Sequence, residues 1–249
     1  MKFVFDLDGT ICFKGQPLSV GIITELENCI ENGHEVIFAS ARPIRDLLPI
    51  LPEAMHKFPM VGGNGAFVAN AGKMIAVIAF QTDIVAQIRS LISTYKLPYL
   101  VDGNWDYAYT GSERHPIYRN LDPLKLAKKI PLDELSEVVK VVLFPDEHHK
   151  EVLEALQQLP ISLYEHASEN IIDMSPSGID KWNGLTKLDV VVGEFIAFGN
   201  DANDAPMFVQ AKESVCVGEH QVSEFATMQV ASAEEAVVAV IRSFNEKYK

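Results

Sequence analysis

Near its start the chain reads Phe3-Val4-Phe5-Asp6-Leu7-Asp8-Gly9-Thr10, an apolar run that delivers two carboxylates two residues apart and stops at a glycine. Side chains alternate faces along a strand, so Asp6 and Asp8 leave a buried strand on the same side. Two carboxylates so placed repel each other unless one is protonated or a cation lies between them, and magnesium takes such hard oxygen ligands. A plainer reading stays open for a bare Asp-x-Asp, in which one Asp caps the next turn and the other is solvated. A calcium loop of the EF-hand type is excluded, because Ile11 and Pro17 stand where that loop needs Gly and Glu.

The rest of the chain extends this strand into a pattern. A helical stripe of Ile22, Ile23, Leu26 and Ile30 ends at Asn32-Gly33, and a second apolar strand runs from Glu35 to Ala39. Strand, helix and strand at this spacing form a βαβ unit, and strands that are continuously apolar belong to a parallel sheet covered on both faces. A short strand at Met60-Val61 runs into Gly62-Gly63-Asn64-Gly65, which reads as a turn; Val68 stands where a dinucleotide fingerprint needs its last glycine.

The stretch from about Phe80 to Ser175 has a different rhythm. Helices are expected at Ile84–Tyr95, Leu124–Lys129 and Lys150–Leu159, and short strands at Tyr99–Val101, Trp105–Tyr109, Val138–Phe144, Ser162–His166 and Asn170–Met174. The βα alternation then returns, with strands at Gly193–Gly199 and Ser214–Val217 and a last helix from Ala233 to about Tyr248. The expected fold class is α/β: a doubly wound parallel-sheet core from residues 1–79 and 177–249, with an α+β domain inserted at 80–176.

Bulk properties narrow the function. The 249-residue chain carries a net charge of -13, which disfavours nucleic acid, whose binding rests on Lys and Arg neutralising phosphates. A small phosphate ester remains possible where a cation or a few basic groups reverse the local field. No apolar run approaches the ~20 residues of a membrane span and no leader pattern opens the chain, so a cytoplasmic protein without membrane contact is expected. Cys12, Cys29 and Cys216 form no Cys-x-x-Cys pair and none is followed six positions later by Arg, which argues against a zinc site and a cysteine-phosphatase loop. Asp146, His148 and His149 cluster after a strand, but adjacent histidines point in different directions and no further metal ligand lies nearby.

Four motifs in order resemble the haloacid dehalogenase superfamily, Cof-type branch. Asp6-Leu7-Asp8-Gly9-Thr10 matches the first. Ser40, after the strand Val36–Ala39, matches the second, with Arg42 in a pattern resembling Ala-Thr-Gly-Arg; Arg42 either touches substrate or pairs with an acid. Lys181, in Ser177-Gly178-Ile179-Asp180-Lys181, matches the third, although Trp182 stands where a small residue is usual. Gly199-Asn200-Asp201-Ala202-Asn203-Asp204 matches the fourth, with Asn200 in place of the usual first Asp.

The resemblance implies a Mg2+-dependent phosphatase for a small phosphorylated metabolite, a sugar phosphate above all. Asp6 would be the nucleophile and Asp8 the general acid and base, with Ser40 and Lys181 orienting the phosphoryl group. Gly9, Thr10, Arg42 and Asn203 would line substrate, and Asp6, Asp8, Asn200, Asp201 and Asp204 would supply the metal shell. The insertion has the position of the family's larger cap, where Trp105, Tyr107, Tyr109, Arg114, His115 and Arg119 are candidate contacts for the leaving group. A phosphomannomutase-like phosphotransferase and a non-catalytic phosphosugar-binding protein are the rival readings.

Overall fold

A computed structural model of the protein describes residues 1–166 and 171–249. The elements in chain order are β1 (Lys2–Phe5), α1 (Val20–Glu31), β2 (Glu35–Ala39), α2 (Ile44–Leu47), β3 (Met60–Gly62), β4 (Phe67–Asn70) and β5 (Lys73–Val77). Then come α3 (Thr82–Tyr95), β6 (Tyr99–Asp102), β7 (Tyr107–Tyr109), α4 (Pro116–Asn120), β8 (Lys140–Leu143), α5 (His149–Leu156), β9 (Ile161–His166) and β10 (Ile171–Pro176). The chain closes with α6 (Lys181–Thr186), β11 (Phe195–Gly199), α7 (Ala205–Phe208), β12 (Glu213–Val217), β13 (Met228–Val230) and α8 (Glu234–Lys247).

Two compact units result, one from Met1–Ala76 with Asp180–Lys249 and the other from Val77–Ile179. The first is built on a sheet ordered β13-β12-β11-β1-β2-β3-β4-β5. Its strands from β13 to β3 are parallel, with β1 between β11 and β2. Phe3, Val4, Phe5, Ile37, Phe38, Ala39, Ile196 and Ala197 are all fully buried, which explains why these strands read as unbroken apolar runs. Ser19 caps α1 by accepting from Ile22 N, and Gly33, at φ +79°, turns the chain back into β2. The doubly wound parallel core is therefore present, with additions that periodicity did not reveal at both edges: β13 lies parallel beside β12, and β4 runs antiparallel to β3 and carries β5.

The second unit is an antiparallel sheet ordered β7-β6-β8-β10-β9. One of its faces, with Val101, Val141, Leu143, Ile172 and Met174, packs on Ile84, Ile88 and Ile92 of α3 and on Val152 and Leu156 of α5. The other face carries Leu100, Tyr109, Val142, Phe144 and Ile171, packed with Ile117 and Tyr118 of α4. The helix expected at Leu124–Lys129 is instead a loop. Asp122 and Lys125 adopt positive φ, and the Asp122 carboxylate accepts from Leu126 N and Ala127 N, so short-range side-chain bonds outcompete helical ones. Leu124 and Leu126 are left exposed. The strand start expected at Asn170 lies outside the described residues. No helix among the described residues is long and apolar enough to cross a membrane.

Candidate active site

β1 ends against β11, where Asp6 N donates to Phe198 O at 2.9 Å, and the chain then closes a tight loop. Thr10, Ile11 and Cys12 all donate backbone N–H groups to Leu7 O, and Gly9 N donates to Cys12 O. Gly9 sits at φ +81°, and a Cβ there would lie 2.3 Å from the Asn200 side chain, so only glycine lets this loop approach β11 so closely.

Asp6 is the centre of the arrangement. Its Oδ1 accepts from Lys181 Nζ at 2.6 Å and its Oδ2 from Thr10 Oγ1 at 2.9 Å. Lys181 opens α6, whose first turn is capped by Asp180 accepting from Asn183 N. Trp182, which stands where a small residue is usual, stacks on Phe195 with ring centroids 5.7 Å apart. Lys181 is fully buried and bridges Asp6 to Asp204 Oδ1, 2.5 Å away on the other side. Burial pushes Asp6 up to about 7 against the pull of Lys181, with Asp204 adding to the rise. Burial opposes the charge on Lys181, but its two carboxylates outweigh that and hold it protonated.

Ser40 ends β2. Its backbone N donates to Val61 O and its Oγ accepts from Arg42 N at 3.1 Å, which leaves the hydroxyl hydrogen for another acceptor. Arg42 pairs with an acid: its Nε donates to Asp8 Oδ2 at 2.7 Å and its Nη2 to Asp8 Oδ1 at 2.6 Å. Both oxygens of Asp8 are thereby engaged.

The loop after β11 divides the acidic candidates. Asp204 is fully buried, and its Oδ2 accepts from Asn200 N and Asp201 N. Gly199 leaves room for it, since a Cβ there would lie 2.4 Å from Asp204 Cγ. Asp201 is exposed and accepts from Ala202 N. One end of the Asn200 amide points at three oxygens: Asp8 O at 3.1 Å, Thr10 Oγ1 at 3.1 Å and Asp6 Oδ2 at 3.3 Å. With its nitrogen there, the amide donates to them; with its oxygen there, acceptors face acceptors, and a hard cation relieves the clash. The donor set is all oxygen, and it draws on Asp6, the Asp8 carbonyl and Asn200. Among the described residues no group of three or more His, Cys, Asp or Glu side chains could hold a metal, which includes the cluster at Asp146, His148 and His149.

Asn203 donates its amide nitrogen to Asn64 Oδ1 at 3.0 Å. Asn64 is a residue that the sequence reading passed over as part of a turn. Its left-handed conformation, φ 55°, is one that Asn tolerates, but the side-chain partner 139 positions away leaves no local signature. In the second unit Trp105 Nε1 donates to Leu126 O and Tyr109 Oη to Ser112 O, while His115 caps α4 by accepting from Ile117 N. Arg114 lies on the exposed segment just before that helix.

The family of haloacid dehalogenase-like hydrolases matches residues 3–241. The chain is 25% identical to the 5-amino-6-(5-phospho-D-ribitylamino)uracil phosphatase YitU of Bacillus subtilis, over 94% of this chain and 93% of that protein. It is also 25% identical to a phosphoglycolate phosphatase of Methanosarcina mazei, over 91% and 89% of the two chains. Among solved structures, a sugar phosphatase of HAD subclass IIB superposes with a TM-score of 0.81 at 18% identity, covering 98% of each chain. A haloacid dehalogenase-like hydrolase from Bacteroides thetaiotaomicron does so with the same score and coverage at 20% identity. The chain belongs to the haloacid dehalogenase-like hydrolase family, and it is an enzyme.

Proposed function

We propose that the protein is a Mg2+-dependent phosphatase that hydrolyses phosphomonoesters of a small metabolite, a sugar phosphate above all. The observation that carries this is Asp6: a buried carboxylate with one oxygen held by Lys181 and the other turned toward Thr10, the Asp8 carbonyl and Asn200. Asp6, the Asp8 carbonyl and Asn200 would hold the magnesium ion. When bound, the ion offsets the negative charge that builds on the phosphoryl oxygens. Asp201 and Asp204, expected from sequence to join the shell, have other partners; Asp204 serves by holding Lys181 and the loop amides.

Asp6 Oδ1 attacks phosphorus as the bond to the ester oxygen breaks, giving an aspartyl phosphate and an alkoxide that takes a proton from Asp8. Asp8 then accepts a proton from the water that attacks the same phosphorus, which returns Asp6 as a carboxylate and releases phosphate. Because Arg42 engages both Asp8 oxygens, Asp8 has to leave that pair before it can act. Ser40 and Lys181 donate to the phosphoryl oxygens, and Gly9 and Thr10 keep the loop amides close. The relatives named as phosphatases of phosphorylated metabolites support the substrate class.

The test is turnover of a panel of phosphate esters, with Mg2+ and with EDTA, by the wild type and by Asp6→Asn. Activity that needs Mg2+ and falls to less than about a tenth in the variant is the expected result. Retention of more than that by a folded variant rejects covalent catalysis at Asp6.

A further inference from the structure

The turn Gly62-Gly63-Asn64-Gly65, which closes β3, lies where three loops of the candidate site meet. Gly63 N donates to Arg42 O at 2.8 Å and Asn64 N to Ser40 O at 3.1 Å, which ties the turn to the end of β2. A Cβ on Gly62 would lie 2.7 Å from Arg42 O, so this approach depends on the missing side chain. On another side the turn seats α6, the helix that begins with Lys181: a Cβ on Gly184 would lie 3.0 Å from Gly65 Cα. The Asn64 side chain reaches the loop after β11, where its Oδ1 accepts from Asn203 Nδ2 at 3.0 Å.

Asn64 is buried and left-handed, at φ 55° and ψ 26°, between glycines that would adopt such a backbone more readily. What an asparagine adds there is its amide. In the loop after β11, Asp204 is fixed by Asn200 N, Asp201 N and Lys181, and the Asn203 side chain is left to Asn64. The Asn203 amide is held at one end only. Its other end, Oδ1, is buried with no partner among the described residues, and a buried polar end left unmet costs free energy until something completes it. Turning both amides end for end keeps the bond between them, with Asn64 now the donor, and puts the Asn203 nitrogen at the open end. An N–H group there is what an anionic oxygen needs.

We propose that Asn64 is a positioning residue for the phosphoryl group. Its backbone N–H braces the Ser40 loop and its side chain fixes the Asn203 amide, so that two groups expected to meet substrate keep their spacing. With the anion bound, Asn64 donates to Asn203 Oδ1 and the Asn203 nitrogen faces a phosphoryl oxygen. The inference rests on the phosphatase reading and deepens it, since that reading gives the turn no part in holding the substrate.

The experiment is a double-mutant cycle on the full chain, read as kcat/KM for p-nitrophenyl phosphate. Asn64→Gly keeps the left-handed backbone and the N–H to Ser40 O and removes only the amide. It is expected to lower kcat/KM about fivefold, chiefly through KM. In the Asn203→Ala background the same change is expected to cost less than about twofold, because nothing is left to position. No loss in the first background, or equal losses in both, overturns the inference, the second by assigning Asn64 a structural part independent of Asn203. If Asn64→Gly does not fold, Asn64→Asp decides in its place: it has the same shape and accepts from Asn203 but cannot donate to it, so a KM raised at least about fivefold is expected and an unchanged KM overturns the inference. If the wild type hydrolyses no ester, the phosphatase reading fails and calorimetry with inorganic phosphate decides Asn64. A Kd that rises about fivefold in Asn64→Gly supports the role, and an unchanged Kd or no binding by the wild type overturns it.

Discussion

The protein buries two lysines among carboxylates, and they differ in how completely their surroundings are satisfied. Lys181, in the parallel unit, donates to Asp6 and Asp204; the remaining oxygens of those carboxylates are taken up by Thr10, Asn200 N and Asp201 N. Lys140, in the antiparallel unit, donates to Asp173 and stands opposite Asp102, yet among the described residues Asp173 Oδ1 and the neighbouring Ser175 Oγ find no partner. A saturated cluster keeps its geometry through a reaction, which a nucleophile and its cation require. The same residue types therefore make a saturated cluster in one unit and a less saturated one in the other.

The largest expected effect falls on the saturated cluster. Lys181→Met leaves two buried carboxylates uncompensated, and urea unfolding is expected to show a loss of about 3–5 kcal/mol. Turnover in any fraction that folds is expected to drop about 10²–10³-fold; turnover close to wild type would remove Lys181 from the chemistry. The incomplete cluster sharpens the contrast. Lys140→Met is expected to cost about 3 kcal/mol, and Lys140→Met combined with Asp173→Leu to recover only part of it, since Asp102 stays buried opposite position 140. A double variant as unstable as the single one would show that Asp173 has a structural partner of its own.

Asn200→Asp adds a carboxylate to the oxygen set beside Asp6 and is expected to lower the Mg2+ concentration for half-maximal activity several-fold. An unchanged or higher requirement in activity titration would move the ligand role to Asp201. A further effect separates the units by pH. All three thiols are buried and all lie in the parallel unit, and burial pushes Cys29 up to about 12 from 9. A folded value above the unfolded one means that this stability is complete below pH 9 and is lost as pH rises toward 12. The urea midpoint of the parallel unit should fall over that window while the antiparallel unit, with no cysteine, follows more weakly.

Much of the parallel core was legible because a strand buried on both faces writes itself as an unbroken apolar run, as in Phe3–Phe5 and Val36–Ala39. Motif spacing likewise pointed to Asp6, Ser40 and Lys181, and the structure brings Lys181 within 2.6 Å of Asp6 across 175 residues of chain. The edge strands β4 and β5 were not legible: they are short and follow a glycine turn, and Lys73–Val77 is largely exposed or half-buried, which leaves no strong pattern. The polar row of the second unit was invisible for another reason. Asp102, Lys140 and Ser175 are each isolated among apolar neighbours, and only strand register places them side by side. Attention to aromatic and basic residues such as Trp105 and Arg114 passed over them.

The amide at Asn200 carries one more consequence. A carboxylate in its place would face Asp6 and the Asp8 carbonyl as a third negative or partly negative group, and the loop could stay closed only with a cation bound. An amide has two ends. Turned one way it donates to the same three oxygens that it would complete as a ligand when turned the other way. The folded state therefore depends less on the ion than a carboxylate site would, because binding that offsets little repulsion adds little beyond its own mass-action term. Under the Mg2+-dependent reading, tolerance of chelation would rest on a single rotatable bond.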